Sequence, residues 1–441
     1  MPIYAPKKTV SIPIIGSVNI SDHIPLINTR EFQRLDYSSQ LSLVRKTSPF
    51  ANHTRLGHTY AVLGVTQQGL RNLFERDFFP PIERAQIKRD LESAALVHDI
   101  GHPPYGHVTE AFLKAYDPKG KGHKERGIEL VKTVLAGAIS ECGANPETVA
   151  KYLDKNIITP GQLITSRAMG FDKIAYLFID RLLTARPAKG PERWDDILNY
   201  LVYDQDGVAI EEKGADVTKA IQEMYFDMWS RAYYRKRSVG DGRQLQKAMQ
   251  IWMETESVDP EKIWTAKESW LDTKLEEAKS PVVRKIHDRI SYRAPLKTAL
   301  SFRYDTQLLM ERKCGKDLTV HALNPEQLDK YVRNYENPLK LTKLENRLGQ
   351  LLGIDTEDMV IALPPEPEKL VPEDVRIVNR NGAFVDKLFV LWPTGRSKLM
   401  EEAKSSVAIR VMVPDRLRYR VSSKGTEVLA AIEEDYRSQQ S

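Results

Sequence analysis

The chain has 441 residues, a length that allows two to three domains or one large core with a smaller appendage. Hydrophobic residues make up 41% and charged residues 28%, which predicts a soluble globular protein. Its net charge of +5 is mild for this length and does not by itself require a nucleic-acid partner. No apolar run is long enough to span a bilayer, and no signal-peptide pattern occurs near the start. The two cysteines, Cys142 and Cys314, cannot form a disulfide framework, so we expect a cytoplasmic protein without a membrane partner.

The N-terminal half of the sequence is dominated by helical patterns. β-branched residues alternate around a glycine in residues 7–20, which predicts a short β hairpin within residues 1–20. From residue 21 the hydrophobic spacing becomes helical, first over residues 31–44 and then, most regularly, over 54–76 and 83–99. Further helices are expected at 123–138, 146–157, 171–186 and 214–236. We interpret residues 21–240 as one helical core.

The second half of the sequence has a less uniform pattern. Residues 241–362 are predicted to form a helical extension in which Trp252, Trp264 and Trp270 pack inside, although residues 305–321 are ambiguous. The prolines and acids of LPPEPEKLVPED (363–374) indicate a linker or an extended arm. VRIV, KLFVLW and VAIRVMV then resemble strands, so residues 363–441 are expected to form a smaller mixed lobe. The predicted fold class is mainly α, with an N-terminal β hairpin and a mixed α/β C-terminal lobe.

Histidine is concentrated in one part of the chain. Six of the nine histidines lie between residues 53 and 123: His53, His58, His98, His102, His107 and His123. Imidazole binds divalent metals and transfers protons near neutral pH. A lone His-Asp dipeptide is a weak signal, and a lone helical histidine is more often a surface or core residue. The whole string LVHDIGHPPYGH, rich in glycine and proline at a helix end, nevertheless favours a metal site.

Two other helices can complete this predicted metal site. His98 and Asp99 lie at the end of one helix, a helix packed alongside can supply His58, and a third can supply Asp172. Two imidazoles and two carboxylates make a mixed nitrogen and oxygen ligand set. The residue types alone do not choose among Mn, Mg, Fe, Co and Zn.

Five segments, in this order, resemble the successive motifs of the HD-domain deoxynucleoside triphosphate (dNTP) triphosphohydrolases: EFQRLDYSSQL, NHTRLGHTY, LVHDIGHPPYGHVTEAF, KGHKERG and FDKIAYLFIDRL. That family includes bacterial dGTPases and the animal enzyme with a SAM domain. The resemblance extends from about residue 8 to about residue 240, and no segment resembles a SAM domain. It implies hydrolysis of a dNTP at the α-phosphorus, with deoxynucleoside and tripolyphosphate as products.

The resemblance also implies a role for individual residues. It implies the metal ligands His58, His98, Asp99 and Asp172. It implies three catalytic histidines, His102, His107 and His123. Among these we expect His107 to be the general acid, and Glu110, one turn further on, could orient it.

The remaining expected contacts are with the substrate. The resemblance implies phosphate contacts from Arg55 and Lys173, sugar contacts from Tyr176 and Asp180, and contacts of Gln40 and Leu41 with sugar and base. Arg231 begins the basic run RAYYRKRSVGDGR (231–243), which we interpret as a phosphate contact. Binding of single-stranded nucleic acid and a solvated helix end are the other interpretations of this run.

The sequence gives less information about regulation and oligomeric state than about the site. The family's guanine activator is contacted by an acidic residue, a glutamine and an arginine, and the corresponding residues here are Asn28, Gln33 and Asp36. Activation by another nucleotide, or by none, therefore stays open. The resemblance implies a homo-oligomer, a tetramer or hexamer. The alternatives for function are another HD-superfamily nucleotidase or phosphodiesterase, and a non-catalytic regulator that binds nucleotides or nucleic acid.

Overall fold

A computed structural model describes residues 7–117, 119–185, 190–304 and 317–439. Strands β1 (Thr9–Ile12) and β2 (Gly16–Asn19) pair antiparallel and confirm the predicted hairpin. The helices up to residue 291 are α1 (Ile24–Ile27), α2 (Arg30–Gln33), α3 (Arg55–Glu75), α4 (Arg84–Val97), α5 (His107–Tyr116), α6 (His123–Lys132), α7 (Ala136–Glu141), α8 (Pro146–Leu153), α9 (Gln162–Thr165), α10 (Phe171–Leu183), α11 (Ala215–Met228), α12 (Lys236–Glu256), α13 (Pro260–Trp264), α14 (Glu268–Glu276) and α15 (Pro281–Ser291).

Two four-stranded sheets connect distant parts of the chain. The remaining strands are β3 (Leu201–Asp204), β4 (Gly207–Glu211), β5 (Lys297–Tyr304), β6 (Thr319–Leu323), β7 (Val360–Ala362), β8 (Arg376–Val378), β9 (Phe384–Lys387) and β10 (Ile409–Val413). One sheet has the order β3-β4-β8-β9 and the other β6-β5-β10-β7. β10 is antiparallel to both of its neighbours, whereas β4 is parallel to β8 and β5 to β6. Both sheets therefore contain strands from either side of residue 362, and the proposed four-segment division stays a prediction.

The C-terminal helices complete the mixed lobe. They span Pro325–Tyr335, Pro338–Leu352, Pro367–Leu370, Leu388–Leu391, Pro393–Ser406, Arg418–Ser422 and Gly425–Ser438. The predicted fold class, mainly α with an N-terminal hairpin and a mixed C-terminal lobe, is confirmed. Among the described residues, no helix combines the length and the apolar character that a membrane span requires.

Several predicted elements differ from the structure. Residues 31–44 form short helical turns rather than one helix, and the helix expected over 123–138 breaks at Thr133, whose ψ of −87° interrupts the helical path. KLFVLW was expected to be a strand, but Leu388–Leu391 is a helical turn with two adjacent buried residues followed by two exposed ones. The stretch 363–374 is not a free linker, since Pro367 and Leu370 are buried. Residues 305–316 of the ambiguous segment lie outside the described residues.

The predicted helical extension also contains strands. Residues 241–362 contribute β5, β6 and β7 as well as helices. Six consecutive residues of β5 are buried, as expected for an inner strand of a sheet rather than an amphipathic helix. Trp252 and Trp264 are buried, and Trp270 packs edge-on against Trp252, so the three tryptophans have the packing role that was predicted.

Close packing of α10 on α3 brings the candidate site together. α3 is buried along most of its length, and Thr54 caps it by accepting a hydrogen bond from the Gly57 amide. A Cβ atom at Gly69 would lie 2.4 Å from the ring of Phe171, at the start of α10. Glycine in this position therefore lets the two helices approach closely, with the polar residues of α10 beside those of α3.

His23 is a buried, charged group that ties the N-terminal segment to α4. Its Nε2 lies 2.8 Å from Glu92 Oε2, and both side chains are nearly inaccessible. Burial alone would lower the pKa of the His23 imidazole, but interactions with Cys142 and Glu92 raise it to about 9. Because this exceeds the pKa of about 6.5 in the unfolded chain, the stabilisation is complete below about pH 6.5 and is lost as the pH rises through 9.

Glu92→Gln should therefore destabilise the protein in a pH-dependent way. We expect the free energy of unfolding at pH 6 to fall by about 3 kcal/mol, as is typical when one partner of a buried ion pair is removed. The difference from the unmutated protein should shrink at pH 10, as urea titrations at both pH values would show. Glu147→Gln, which breaks an exposed pair with Lys132, is the control and should have little effect. An equal loss at both pH values would contradict this assignment of charge to His23.

Candidate metal and catalytic site

Four predicted metal ligands meet where α3, α4 and α10 converge. His58 Nε2 lies 3.2 Å from His98 Nε2 and 3.0 Å from Asp172 Oδ1. His98 Nε2 is 3.6 Å from an oxygen of each carboxylate, those of Asp99 and Asp172. The ligand atoms of His58, His98 and Asp99 lie within 4.8 Å of one another, as the ligands of one ion do, and Asp172 contacts both histidines. We call these four residues the metal group.

The donor atoms of the metal group suit a divalent cation. His98 Nδ1 lies 2.8 Å from the carbonyl oxygen of Ala95 and donates to it, so Nε2 is the nitrogen that faces the metal group. Burial lowers the pKa of His98, but the carboxylates of Asp99 and Asp172 outweigh burial and raise it to about 9. A bound cation would take the place of that proton, and its charge would be balanced by the two carboxylates.

Arg55, on the first turn of α3, is tied to the metal group. Its Nη1 donates a 2.5 Å hydrogen bond to Asp99 Oδ2, and the side chain is buried. A Cβ atom at Gly106 would lie 2.4 Å from Arg55 Nη2, and Gly106 has a φ of +52°. Glycine is therefore needed there, because any larger residue would displace the guanidinium. The phosphate contact expected of Arg55 stays a prediction, and the structure places its cation beside the metal group.

A second group of side chains, the histidine group, consists of His102, His107, Glu110 and His123. Glu110 accepts from His107 Nδ1 at 2.9 Å and from His123 Nδ1 at 2.8 Å, and also from the backbone amide of His123. The rings of His102 and His123 are stacked, with centroids 3.8 Å apart. His102 Nε2 is 3.3 Å from Asp99 Oδ1, so the histidine group adjoins the metal group.

The electrostatics of the histidine group keep its carboxylate ionised. Burial by itself would raise the pKa of Glu110, but hydrogen bonds with His107 and His123 outweigh it and hold the pKa well below its usual range. An ionised Glu110 keeps the protons of both imidazoles on Nδ1, so Nε2 is the nitrogen available to a substrate. Burial, followed by the charge of Arg55, lowers the pKa of His102 well below its usual range.

Two residues outside the predicted set hold the loop between α4 and α5. Arg34 donates to the carbonyl oxygens of Ile100 and His102, at 2.7 and 2.8 Å. Buried Glu268 accepts from the backbone amides of Ser39 and Tyr105, and Tyr105 has a strained φ of +60°. Arg34 belongs to the motif EFQRL, and its position in a recognised motif was a signal that it could lie near the site. Glu268 is far away in the sequence, so no local signal could have revealed its role.

Glu268→Ala should weaken catalysis without touching a reacting group. The Tyr105 loop that precedes His107 would lose its anchor, and we expect kcat to fall about tenfold because small misplacements of catalytic groups are costly. Glu268→Gln retains an acceptor oxygen and should have a smaller effect. Steady-state kinetics of the two variants, with circular dichroism to verify folding, test this expectation. Equal losses in both variants would indicate that the charge matters rather than the anchor.

The expected sugar contacts lie on the side of the site towards the C-terminal end of α10. Asp180 is buried, with His53 Nε2 2.9 Å from its Oδ1 and the Tyr233 hydroxyl donating to its Oδ2 at 2.5 Å. The backbone amide of Gln40 donates to the His53 carbonyl oxygen at 3.0 Å. The structure thus gathers Gln40, Asp180 and half-buried Tyr176 on this side, with Leu41 next in the chain. No role had been predicted for His53 or Tyr233, although His53 lies in the motif NHTRLGHTY and Tyr233 in the basic run that begins at Arg231.

Lys173 adjoins the site, but its ammonium is already engaged. Its Nζ donates to the carbonyl oxygens of Arg167 and Ala168 and to Gln222 Oε1, and lies 4.5 Å from the centre of the Tyr225 ring. Burial lowers the pKa of Lys173 to about 7. The Lys173 ammonium could make the expected phosphate contact only in exchange for one or more of these hydrogen bonds.

Arg231 is directed away from the metal group. It is exposed, its Nε lies 3.4 Å from Asp227 Oδ1, and it lines a cavity with Trp392 and Lys398 of the C-terminal lobe. Residues Trp229–Tyr233 form a π-helical turn. Arg231 and Tyr233 project to opposite sides of that turn, so Tyr233 takes the inward position towards Asp180. The structure therefore does not bring Arg231 to the phosphate position that the sequence suggested.

The residues at the expected activator positions make local contacts. Asn28 caps the end of α1, Gln33 Nε2 donates to the Ile27 carbonyl oxygen, and Asp36 accepts from the Thr54 hydroxyl. These contacts contribute to the turns that precede α3, so binding of an activator there stays a prediction.

Comparison with known proteins shows the class of domain. Residues 55–153 match the family described as HD domain, so the chain contains an HD domain that spans the segment from α3 to α8. The match covers His58, His98, Asp99 and the whole histidine group. The fold is similar to that of a phosphohydrolase from Bacteroides thetaiotaomicron, with a TM-score of 0.69 at 16% identity over 92% of this chain and 100% of that one. At this identity the likeness shows the fold alone.

Curated relatives are similar over part of their length. A putative HD domain-containing protein of Acanthamoeba polyphaga mimivirus is 30% identical over 35% of this chain and 38% of its own. A deoxyguanosinetriphosphate triphosphohydrolase-like protein of Caldanaerobacter subterraneus is 28% identical over 44% of this chain and 54% of its own. The deoxynucleoside triphosphate triphosphohydrolase SAMHD1 of Bos taurus is 30% identical over 35% of this chain and 27% of its own. The chain thus spans about half or less of each relative.

Proposed function

We propose that the protein hydrolyses dNTPs at the α-phosphorus and releases a deoxynucleoside and tripolyphosphate. The observation that carries this proposal is the contact between the two groups, in which His102 Nε2 lies 3.3 Å from Asp99 Oδ1. Ligands for a metal and imidazoles that can carry protons are thereby adjacent, which suits metal-assisted hydrolysis of a phosphate ester. One partial relative is named as a deoxynucleoside triphosphate triphosphohydrolase and another as a deoxyguanosinetriphosphate triphosphohydrolase-like protein, which supports this choice of substrate.

The metal group and Arg55 would act on the α-phosphate. A divalent cation held by His58, His98, Asp99 and Asp172 would acidify a water molecule and neutralise phosphate charge. Arg55 lies 2.5 Å from Asp99 and would add a fixed positive charge to the same region. Such a pre-oriented charge stabilises the negative charge that develops on phosphate oxygens in the transition state.

The histidine group would protonate the leaving group. The departing 5′-oxygen of the nucleoside is a poor leaving group unless it receives a proton. His107 is 71% exposed at the start of α5, and Glu110 fixes its Nδ1 proton, so its Nε2 can face a substrate. His123, on the same carboxylate, would supply a second contact to the phosphate.

The group around Asp180 would recognise deoxyribose. Asp180 keeps unused lone pairs beside His53 and Tyr233, which suits a hydrogen bond from a 3′-hydroxyl. The aromatic rings of Tyr176 and Tyr233 would disfavour a 2′-hydroxyl, because a buried polar group without a partner is costly. Ribonucleotides should therefore be poor substrates.

Product analysis tests the proposed function. Purified protein would be incubated with each of the four dNTPs, singly and mixed, with Mn or Mg, and the products separated by chromatography. Deoxynucleoside and tripolyphosphate are the expected products, whereas monophosphate with pyrophosphate would favour another HD-superfamily nucleotidase. Lack of turnover under every condition would favour the nucleotide- or nucleic-acid-binding regulator. Turnover in mixtures only would reveal an activator, and the tetramer or hexamer expected from the resemblance can be checked by light scattering.

A further inference from the structure

Three cationic residues lie on segments next to the metal and histidine groups, and we call them the basic rim: Lys124, Lys155 and Arg167. Lys124 directly follows His123 in the first turn of α6. Lys155 follows the end of α8, which packs against α6. Arg167 precedes α10, and its carbonyl oxygen accepts from Lys173 Nζ, next to Asp172. Three separate segments near the site thus each carry one cation.

The charges of the basic rim and of the metal group act on one another. Burial lowers the pKa of Lys124, and the positive charges of Lys155 and Arg167 lower it further, while Asp172 and Asp99 oppose this effect. Within the described parts of the chain, Lys124 and Lys155 form no ion pair with a carboxylate. Lysines without an ion-pair partner beside a phosphate site attract and orient further negative charge.

Arg167 has one anionic neighbour, and it comes from a distant part of the chain. Its Nη1 lies 3.5 Å from Glu373 Oε1, and the two side chains are 64% and 55% exposed. An exposed pair at this distance contributes little free energy and is easily exchanged. The backbone of Glu373 is better fixed, because its carbonyl oxygen accepts from Gln222 Nε2 at 3.0 Å, and Gln222 also binds Lys173.

We propose that the basic rim is the subsite for the distal phosphates of the substrate. In the absence of substrate the carboxylate of Glu373 pairs with the guanidinium of Arg167, and a phosphate group of the substrate displaces that carboxylate. This inference rests on the proposed function, since it extends the substrate beyond the α-phosphate held at the metal group. A guanidinium can bind either a carboxylate or a phosphate in a bidentate manner, but a triphosphate tail carries several negative charges and the Glu373 side chain carries one. The rim would therefore favour triphosphates over nucleotides with fewer phosphates.

Charge-removal variants test the subsite. We expect each of the variants Lys124→Ala, Lys155→Ala and Arg167→Ala to raise KM for a dNTP about fivefold and to leave kcat within about twofold. The reason is that each variant loses a charge that binds the phosphate tail but keeps every group that reacts. Inhibition by inorganic tripolyphosphate should weaken in parallel, while inhibition by the deoxynucleoside should not change. Lys132→Ala, at the opposite end of α6, is the matched control and should leave all these constants unchanged.

Glu373→Gln tests the competition for Arg167. Removal of the carboxylate charge should lower KM and the inhibition constant of tripolyphosphate by about two- to threefold, because the anion no longer has to displace it. The double variant Arg167→Ala/Glu373→Gln should show no such gain over Arg167→Ala. A higher KM in Glu373→Gln would overturn the competitive role of this residue.

Calorimetric titration with tripolyphosphate separates this inference from the proposed function. Unchanged tripolyphosphate affinity in all three rim variants would overturn the subsite, whatever the turnover. If the unmutated protein turns over no dNTP but binds tripolyphosphate, and the variants bind it more weakly, the polyphosphate subsite stands and the proposed reaction fails. Weaker binding together with the expected rise in KM would support both.

Discussion

His98→Ala should lower kcat for dNTP hydrolysis by about a thousandfold or more, the scale expected when a metal that activates water is lost. His98 Nε2 lies 3.2 Å from His58 Nε2 and 3.6 Å from Asp172 Oδ1. Its Nδ1 donates to the Ala95 carbonyl oxygen, which fixes the orientation of the ring. The variant should also retain less metal, which elemental analysis of the purified protein would measure.

Asp99→Asn gives a second test of the metal group with a smaller change of shape. The amide can still accept from Arg55, but it loses the negative charge that faces His98 and His102. We expect a comparable loss of kcat, with the fold verified by circular dichroism. Asp216→Asn makes the same chemical change at an exposed position of α11 and should be indistinguishable from the unmutated protein. Undiminished turnover by His98→Ala and Asp99→Asn would rule out hydrolysis at the metal group.

Glu110→Gln should lower kcat about a hundredfold while changing KM little, in line with the loss of general acid catalysis. Glu110 accepts three hydrogen bonds, two from imidazole Nδ1 atoms and one from the amide of His123. A glutamine can accept these through one oxygen only, so its NH2 group would face one of the imidazoles. That imidazole would then have to release its Nδ1 proton, and the charged form would no longer be stabilised.

The leaving group distinguishes a proton-transfer role from a structural one. A phosphate ester with p-nitrophenolate as the leaving group needs no protonation, so its hydrolysis should be reduced much less by Glu110→Gln. Glu125→Gln, in the cap of α6, alters a neighbouring carboxylate that binds the Gly122 amide and should keep most of its activity. Equal losses with both kinds of leaving group would show that Glu110 supports the fold of the site rather than proton transfer.

The sequence predicted best where the structure is determined locally. The long helices α3, α4 and α10 follow from their hydrophobic spacing, and a single short string contains half of the polar groups at the site, including His98 and His102. The metal ligand Asp172 is distant in sequence and was placed by resemblance to a family pattern. Prediction was weakest where a contact depends on pairing between distant segments, as with Glu268 and Ser39, or on a local irregularity, as with the π-helical turn that turns Arg231 outward.

The pairing of β10 with β5 and β7 has a consequence for how the protein acquires its structure. During synthesis, β5 leaves the ribosome long before β10, and its edge stays open until the intervening helices have also emerged. Pairing between strands so far apart in sequence is slow, because a long loop must be closed first. A nascent chain that already contains all the histidines would therefore still lack the completed β6-β5-β10-β7 sheet until translation has passed β10.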